Sequence, residues 1–408
     1  MNEIWILGAT GRTGRAIAAL LAAGDAPLVL VGRDAVRLRE LAGTIGGTSR
    51  TVVIGPAAGT DGAAGPHGTA DTQGSADANG TAGTRGSART NGTGDARRGR
   101  TNGSAATVAA ITAQLAAAAP AVVVNTIGPF TETALPIARA CPPGTHYLDL
   151  ANELLAVTGL LGLHDEAAAD GRCLVTGAGF GVLATESVVL KLCAGRPAPA
   201  RVRVDALAAV ENEPGAIGAA LAASIVDAIS VGGRRYERGR LVSARLGDDF
   251  ERFALPDGSA AHSAGGPSGE LEAAHRASGA PFVVAASGAM PAGRAIRAVL
   301  PAAAVLLARR PLGNAVKRRF ARVQVGPGER NREFSWARAL VQDADGGHRE
   351  GWLRAGDGMS FTAAVASEVA SRLARGEGKP GAYTPGALFG PELAEAAGGT
   401  FLLDAATV

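Results

Sequence analysis

The sequence predicts an α/β fold: a parallel sheet covered by helices on both faces, followed by a second, α+β domain containing an antiparallel sheet. Three observations carry this. Short apolar runs alternate with helical patterns from Ile4 to Val175, the signature of βαβ units. The first run ends in a glycine-spaced loop, "GATGRTG" (Gly8–Gly14), that opens a helix. Beyond about Phe180 the pattern changes, and Val202, Val204 and Ala206 alternate with polar residues as in a sheet with one wet face.

In order, Ile4–Leu7 reads as a first strand, 12–23 as an Ala/Leu-rich helix, 28–31 as a buried strand and Ala35–Ile45 as a helix with Val36, Leu38, Leu41 and Ile45 along one face. Residues 51–54 give a third strand. Residues 105–118 read as a helix, Val122–Asn125 as a strand ending in "TIGPF", 135–140 as a helix, 146–150 as a strand, 154–169 as one helix and Cys173–Val175 as a strand. The second domain offers strands at 201–210, 241–246, 250–255, 334–342 and 351–355. Its helices fall at 217–229, 294–309 (with Pro301 inside) and 361–374. The expected divisions are 1–180, 181–355, and a C-terminal segment 356–408 that packs back on the first domain or the cleft between domains.

Residues 55–106 stand apart. They hold no Val, Leu, Ile, Met, Phe, Tyr or Trp and cannot offset their ordering entropy by apolar burial, so a disordered insertion is expected. It falls between the third strand and its helix, where loops grow without breaking a sheet.

The 408 residues, 47% of them hydrophobic, suffice for two domains. A net charge of +3 with 4% aromatics gives no nucleic-acid footprint. The three cysteines show no CxxC spacing, and a reduced, cytoplasmic chain is expected. Neither a signal peptide nor a transmembrane run is read. The six histidines show no metal-ligand spacing, and no GxSxG or HExxH occurs, so metal and hydrolase chemistry gain no support.

The loop Gly8, Ala9, Thr10, Gly11, Arg12, Thr13, Gly14 suits a Rossmann-type dinucleotide site. Small residues admit a pyrophosphate, and a helix N-terminus supplies N–H donors. The end of the second strand selects the cofactor. An acid there binds the ribose of NAD, but "LVLVGRD" puts Arg33 at that place. A guanidinium attracts a 2′-phosphate, so NADP(H) is expected, with Asp34 capping the next helix. Asn125, Gly128 and Pro129, closing the fourth strand, are expected beside the nicotinamide. "GTHYLDLANE" puts Tyr147 and Asp149 on one strand face and His146 on the other. Tyr147 is a candidate proton donor with Asp149 fixing it or the substrate, packing and turn-capping being the alternative. Glu186, Glu211 and Glu213 read as solvated surface acids in preference to anchors for a cationic substrate. Residues 306–322 join an apolar helix to six basic residues. A core helix with a solvated basic end is preferred there to a surface meeting an anionic membrane or an acidic carrier protein.

"GATGRTG", "VGRD", "VVVNTIGPF", "ARAC", "GTHYLDLANE" and "VTGAGFG" occur in the order seen in saccharopine dehydrogenase-like oxidoreductases. "YTPGALFGPEL" (383–393) is similar to the end of that family's trans-acting enoyl reductase branch. The resemblance covers about 1–54, 107–181 and 356–393. It implies an NADP-binding Rossmann domain, a second domain shaping the substrate pocket, and hydride transfer to a C=N or C=C bond of a small or carrier-bound substrate in secondary or lipid metabolism, in a chain able to form homodimers. Where the family reads GFDxxPxD this chain reads "GFGVLATE", with Gly181, Ala184 and Glu186 in place of Asp, Pro and the final acid. The middle segment also lacks the family's Gly-Gly-Thr turn. The cofactor half is kept and the substrate half has diverged, so an inactive NADP-binding sensor or scaffold is the alternative.

Overall fold

A computed structural model describes residues 3–24, 26–55, 95–211, 215–216, 219–291, 293–326 and 332–403. Its first part contains β1 (Ile4–Leu7), α1 (Arg12–Leu21), β2 (Leu28–Gly32), α2 (Ala35–Ile45), β3 (Ser49–Val53), α3 (Asp95–Ala118), β4 (Val122–Asn125), α4 (Phe130–Ala140), β5 (His146–Asp149), α5 (Leu154–Leu161), α6 (His164–Ala169), β6 (Cys173–Val175) and α7 (Phe180–Cys193). There follow β7 (Arg201–Leu207), β8 (Gly215–Ala216), α8 (Ala219–Val231), β9 (Gly233–Glu237), β10 (Arg240–Ala244), β11 (Glu251–Ala254), β12 (Ala260–Gly265), α9 (Gly269–Ser278) and β13 (Phe282–Ser287). The chain continues through α10 (Arg294–Leu307), α11 (Arg310–Phe320), β14 (Gln324–Val325), β15 (Ser335–Gln342), β16 (His348–Ala355), α12 (Gly358–Ala374), β17 (Gly381–Tyr383), α13 (Pro385–Phe389), α14 (Glu392–Ala396) and β18 (Thr400–Leu403).

The first sheet runs β17-β6-β5-β4-β1-β2-β3, and every pair in it is parallel. β1, β2 and β4 are buried along their whole length, which explains their unbroken apolar runs. The chain leaves β1 toward β2 and β3, then returns to lay β4 on the other side. The crevice between the ends of β1 and β4 is therefore the topological switch point, where ligands bind in such sheets.

The second sheet runs β10-β9-β13-β7-β15-β16-β18, with β12 also on β13. It is mostly antiparallel, but β13 and β7 are parallel neighbours, so it is more mixed than the sequence suggests. α7 is buried at ten of its fourteen positions and packs on β7, β15 and β16. One continuous apolar cluster joins Ile6 and Val124 of the first sheet to Val204 and Ala339 of the second, through Leu183 and Val188 of α7. The segment after 356 divides its contacts. α12 packs on α1, and β17 extends the first sheet, whereas β18 pairs with β16 of the second.

Two expectations change. The sequence pattern runs the insertion to 106, but the backbone of 95–104 already belongs to α3. Once the Ala-rich turns nucleate, each further residue adds a hydrogen bond, and this extends the helix backwards without apolar side chains. The rest of the expected insertion, 56–94, lies outside the described residues. The single helix expected over 154–169 is two, broken at Gly162 and Leu163.

Candidate active site at the carboxyl edge of the first sheet

The loop after β1 is shaped by its glycines. Gly8 N donates to Val31 O (2.9 Å) and Gly11 N to Gly8 O (2.9 Å), closing a tight turn. Gly8 has φ +79°, and a Cβ there would stand 2.7 Å from Thr126 Oγ1. Only glycine meets both demands. A Cβ at Gly14 would overlap the Gly8 carbonyl oxygen, so this glycine lets α1 close on β1. Gly11 is the N-cap of α1 and offers no capping side chain. The first-turn N–H groups, which have no acceptor within a helix, thus form a cradle that fits a pyrophosphate. Ala9 and Gly14 are buried, Thr10 and Thr13 half-buried and Gly11 exposed. Arg12 reaches the loop after β7, its Nη1 donating to Glu211 O at 2.9 Å, and so bridges the two halves of the molecule.

At the end of β2, Asp34 caps α2, its Oδ1 accepting from Val36 N (3.0 Å) and Arg37 N (3.1 Å). That is the role expected from the sequence. Arg33 is exposed and has no hydrogen-bond partner among the described residues. The end of β2 thus carries an exposed positive charge, and the neighbouring carboxylate is engaged in the cap of α2.

Tyr147, Asp149 and Asn125 do meet, but not as expected. All three are fully buried. The Tyr147 hydroxyl donates to Asp149 Oδ2 (3.0 Å) and accepts from Asn125 Nδ2 (3.0 Å). Asp149 Oδ1 accepts from Thr176 Oγ1 (2.8 Å), Ala151 N (3.0 Å) and Gly177 N (3.2 Å). Asn125 Oδ1 accepts from Ile127 N at 3.0 Å. Burial pushes the Asp149 carboxyl up to about 6 against these donors, and burial together with the neighbouring Asp149 pushes the Tyr147 phenol well above 10. Tyr147 is packed beneath the sheet edge with its hydroxyl hydrogen directed at Asp149, the arrangement that the sequence reading holds as the alternative to a proton donor. The trio ties the ends of β4, β5 and β6 together and fixes the loop 126–129. Asn125 acts there through its backbone neighbours, since both ends of its amide are taken. Gly128 and Pro129, joined by a cis peptide, are half-buried at that edge. His146, on the opposite face as expected, accepts from Cys173 N (3.0 Å).

The surface reading of Glu186 is also corrected. It is fully buried on α7 and accepts from Thr384 Oγ1, Gly386 N (2.9 Å) and Ala387 N (3.1 Å). Burial raises its carboxyl to about 7 against those donors. It anchors the "YTPGALFGPEL" segment to α7. Glu211 is exposed, and Glu213 lies outside the described residues.

One acid was not singled out by the sequence. Glu270, in the first turn of α9, is 5% exposed, and its Oε2 has no hydrogen-bond partner among the described residues. Burial raises its carboxyl above the usual range. It lies against the first turn of α7, where a Cβ on Gly181 would overlap its Oε1, and near Asn152 after β5. Gly269 N donates to Asn152 O (2.8 Å), and Ser224 Oγ of α8 to Glu153 Oε1 (2.6 Å). Elements of both halves thus converge beyond β5 and β6, on the edge that carries the glycine loop. The only sequence signal for Glu270 was an ordinary helix start, "PSGELEAA". A groove of about 740 Å³ between α3 and α4, lined by Val108, Thr112, Glu132 and Pro136, shares no residue with this site.

No protein-family model matches the chain, and no curated protein sequence matches it. Among solved structures, the apo form of histidine-tagged saccharopine dehydrogenase (L-Glu forming) from Saccharomyces cerevisiae is similar over 99% of this chain and 100% of that one, with a TM-score of 0.54 and 12% identity. A metagenomic short-chain oxidoreductase in complex with NADP aligns over 43% of this chain and 80% of its own, with a TM-score of 0.27 and 16% identity. A short-chain dehydrogenase from Sphingobium yanoikuyae in complex with NADPH aligns over 43% and 71%, with a TM-score of 0.26 and 15% identity. The likeness to the yeast enzyme is one of fold, and it spans both sheets.

Proposed function

We propose that this chain is an NADP(H)-dependent oxidoreductase that transfers hydride to a C=N or C=C bond of a substrate held between the two sheets. The observation that carries the reading is the pairing of an uncapped glycine-loop helix with an exposed Arg33 whose neighbouring carboxylate is engaged in a helix cap. Gly8, Gly11 and Gly14 admit the pyrophosphate, the N-terminus of α1 donates to it, and Arg33 meets the 2′-phosphate. The bound nicotinamide supplies the hydride. Hydride addition to carbon leaves an electron pair on the neighbouring nitrogen or carbon that must take up a proton. We assign that proton to Glu270, whose Oε2 lacks a partner among the described residues and would have to be uncovered as the substrate enters.

The test uses the full chain in two steps. Titration with NADPH and with NADH, followed by cofactor fluorescence, is expected to show tighter NADPH binding. Loss of NADPH absorbance is then followed against cyclic imines, 2-oxo acid and amine pairs, and enoyl thioesters. No saturable binding of either cofactor overturns the cofactor reading. Tight NADPH binding with no turnover on any of these substrates leaves a binding protein and overturns catalysis.

A further inference from the structure

The outer surface of α10 and α11 is built against the usual rule. A surface helix of a globular protein turns its polar side outward. Along α10 the stretch 298–308 contains no polar side chain at all, so whatever it shows to solvent is apolar. Six of the twelve exposed large hydrophobic side chains among the described residues lie between 296 and 323. Ile296, Val299 and Val305 are 55, 60 and 66% exposed, and Leu306, Leu312 and Val323 are exposed as well. Residues 293–326 also hold eight arginines and lysines and no aspartate or glutamate. Lys317 is spent on a 2.6 Å pair with Asp227 of α8 that fixes α11 in place. Arg318, Arg319 and Arg322 are exposed and have no carboxylate partner among the described residues.

An apolar face bordered by unpaired cations is the pattern of a helix lying in a membrane interface. α10 has 14 residues and rises only about 21 Å, less than the ~30 Å of a hydrocarbon core. No helix among the described residues is long and apolar enough to cross a membrane. The face therefore suits insertion to headgroup depth and not spanning. A second copy of this chain is a poor occupant, because a two-fold contact would set the exposed Arg318, Arg319 and Arg322 of each copy against the same face of the other, whose residues 293–326 hold no acid. Anionic lipid satisfies both features together, taking the aliphatic side chains into the acyl boundary and the arginines among the phosphates.

We propose that α10 and α11 form a docking surface for an anionic lipid bilayer. The three helices α8, α10 and α11 pack on one another as one layer, and α8 is tied to the start of α5 by the Ser224–Glu153 hydrogen bond. Docking thus attaches the bilayer to a helix cluster that is itself joined to the start of α5. The proposal is independent of the reductase reading, since lipid binding is measured without turnover.

The test is flotation of the full chain with vesicles of phosphatidylcholine alone and of phosphatidylcholine with 30% phosphatidylglycerol, at low and high salt. Binding is expected to the anionic vesicles and to weaken with salt. Arg318→Glu with Arg319→Glu is expected to lower the partition coefficient at least about 25-fold, at roughly fivefold per charge. Val299→Asn with Val305→Asn is expected to lower it about tenfold or more with the charges intact. These side chains are exposed, and circular dichroism melts are expected to match the parent chain. Failure to float with anionic vesicles at low salt overturns the proposal, as does flotation that either double variant leaves unchanged. Two other occupants have their own signatures. Saturable binding to an acidic acyl carrier protein with no vesicle binding assigns the face to that protein. A dimer by light scattering that Val299→Asn with Val305→Asn converts to monomer assigns it to a second copy. Either result also overturns the lipid proposal.

Discussion

Replacing Arg33 by aspartate tests the cofactor assignment at one atom group. Arg33 is exposed and has no partner among the described residues, so its loss breaks no described internal contact and the fold should be unaffected. Two effects act on NADPH. The lost charge-assisted, bidentate hydrogen bond to the 2′-phosphate is worth about 1.5–3 kcal/mol. The new carboxylate repels the same phosphate, and at roughly 5 Å in a water-like dielectric this adds about 1 kcal/mol. Together they raise the Kd for NADPH on the order of 100-fold. NADH has no 2′-phosphate and loses neither term, and a carboxylate at this place hydrogen-bonds its ribose hydroxyl, so its Kd should hold or fall. Fluorescence titration with both cofactors reads this directly. The parent chain's preference for NADPH should shrink between 0.05 and 0.5 M salt, in solution conditions where screening shortens to about 4 Å. Asp34→Asn is the control. Asparagine caps a helix as well as aspartate, so the NADPH-to-NADH ratio should stay within about threefold. Equal loss of both cofactors in Arg33→Asp, or a large change of ratio in Asp34→Asn, would refute the assignment.

Four further outcomes are expected. Gly8→Ala forces a Cβ into a backbone at φ +79° and to 2.7 Å from Thr126 Oγ1; urea unfolding should show a loss of about 1–3 kcal/mol, with NADPH binding weakened. Tyr147→Phe leaves Asp149 and Asn125 each short of a partner, for a loss of about 1–2 kcal/mol and looser cofactor binding; a kcat loss of 100-fold with Kd unchanged would instead restore Tyr147 as proton donor. Glu186 and Asp149 titrate higher folded, at about 7 and about 6, than their ordinary 4.5 and 3.8. The folded chain therefore holds the extra protons between about pH 4 and 7, and the stability from these two groups is full below that window and lost as pH rises through it. Urea midpoints from pH 4 to 8 should fall across this range, and Glu186→Gln should flatten the fall; an unchanged slope in the variant counts against Glu186 as its source. Glu270→Gln should remove turnover on whichever substrate is accepted while keeping the Kd for NADPH, and should stabilise the chain at pH 8, because an unpaired buried oxygen that favours protonation gives way to a neutral amide; retained turnover would show that Glu270 is not the acid.

The first sheet was legible because its chemistry is local. Ile4–Leu7, Ala35–Ile45, Val122–Asn125 and Cys173–Val175 occupy the bounds that the pattern assigns to them, since a strand buried on both faces must be an unbroken apolar run and a surface helix must show one apolar face. α7 was missed for the complementary reason. Enclosed by the second sheet and by helices from both halves, it has no wet face, and its moment of apolar pattern vanishes. What looked like a domain boundary is the element that joins the two sheets. The burial of Tyr147, Asp149 and Glu186 was not legible because residue type reports the capacity for chemistry, whereas the partners each group finds are set by elements distant in sequence. Periodicity placed Tyr147 and Asp149 on the same face of β5; it could not say that Asn125 of β4 and Thr176 after β6 close that face off.

Gly181 and Glu270 make the divergent half intelligible. The segment "GFGVLATE" departs from the pattern it resembles by having glycine where an aspartate is expected, which reads in sequence as a lost acid. In space the acid is not lost. Any side chain at 181 would overlap Glu270 Oε1, and glycine at 181 is the condition under which a carboxylate from α9 can reach the first turn of α7. The two residues are 89 positions apart and lie on different elements, so each is a defect alone: a glycine in a helix, which weakens it, and a buried carboxylate oxygen, Oε2, without a partner among the described residues, which destabilises. Together they set a carboxyl against the first turn of α7, beyond the ends of β5 and β6. On the reductase reading proposed above, the Glu270 Oε2 that has no partner among the described residues is the atom a bound substrate would complete.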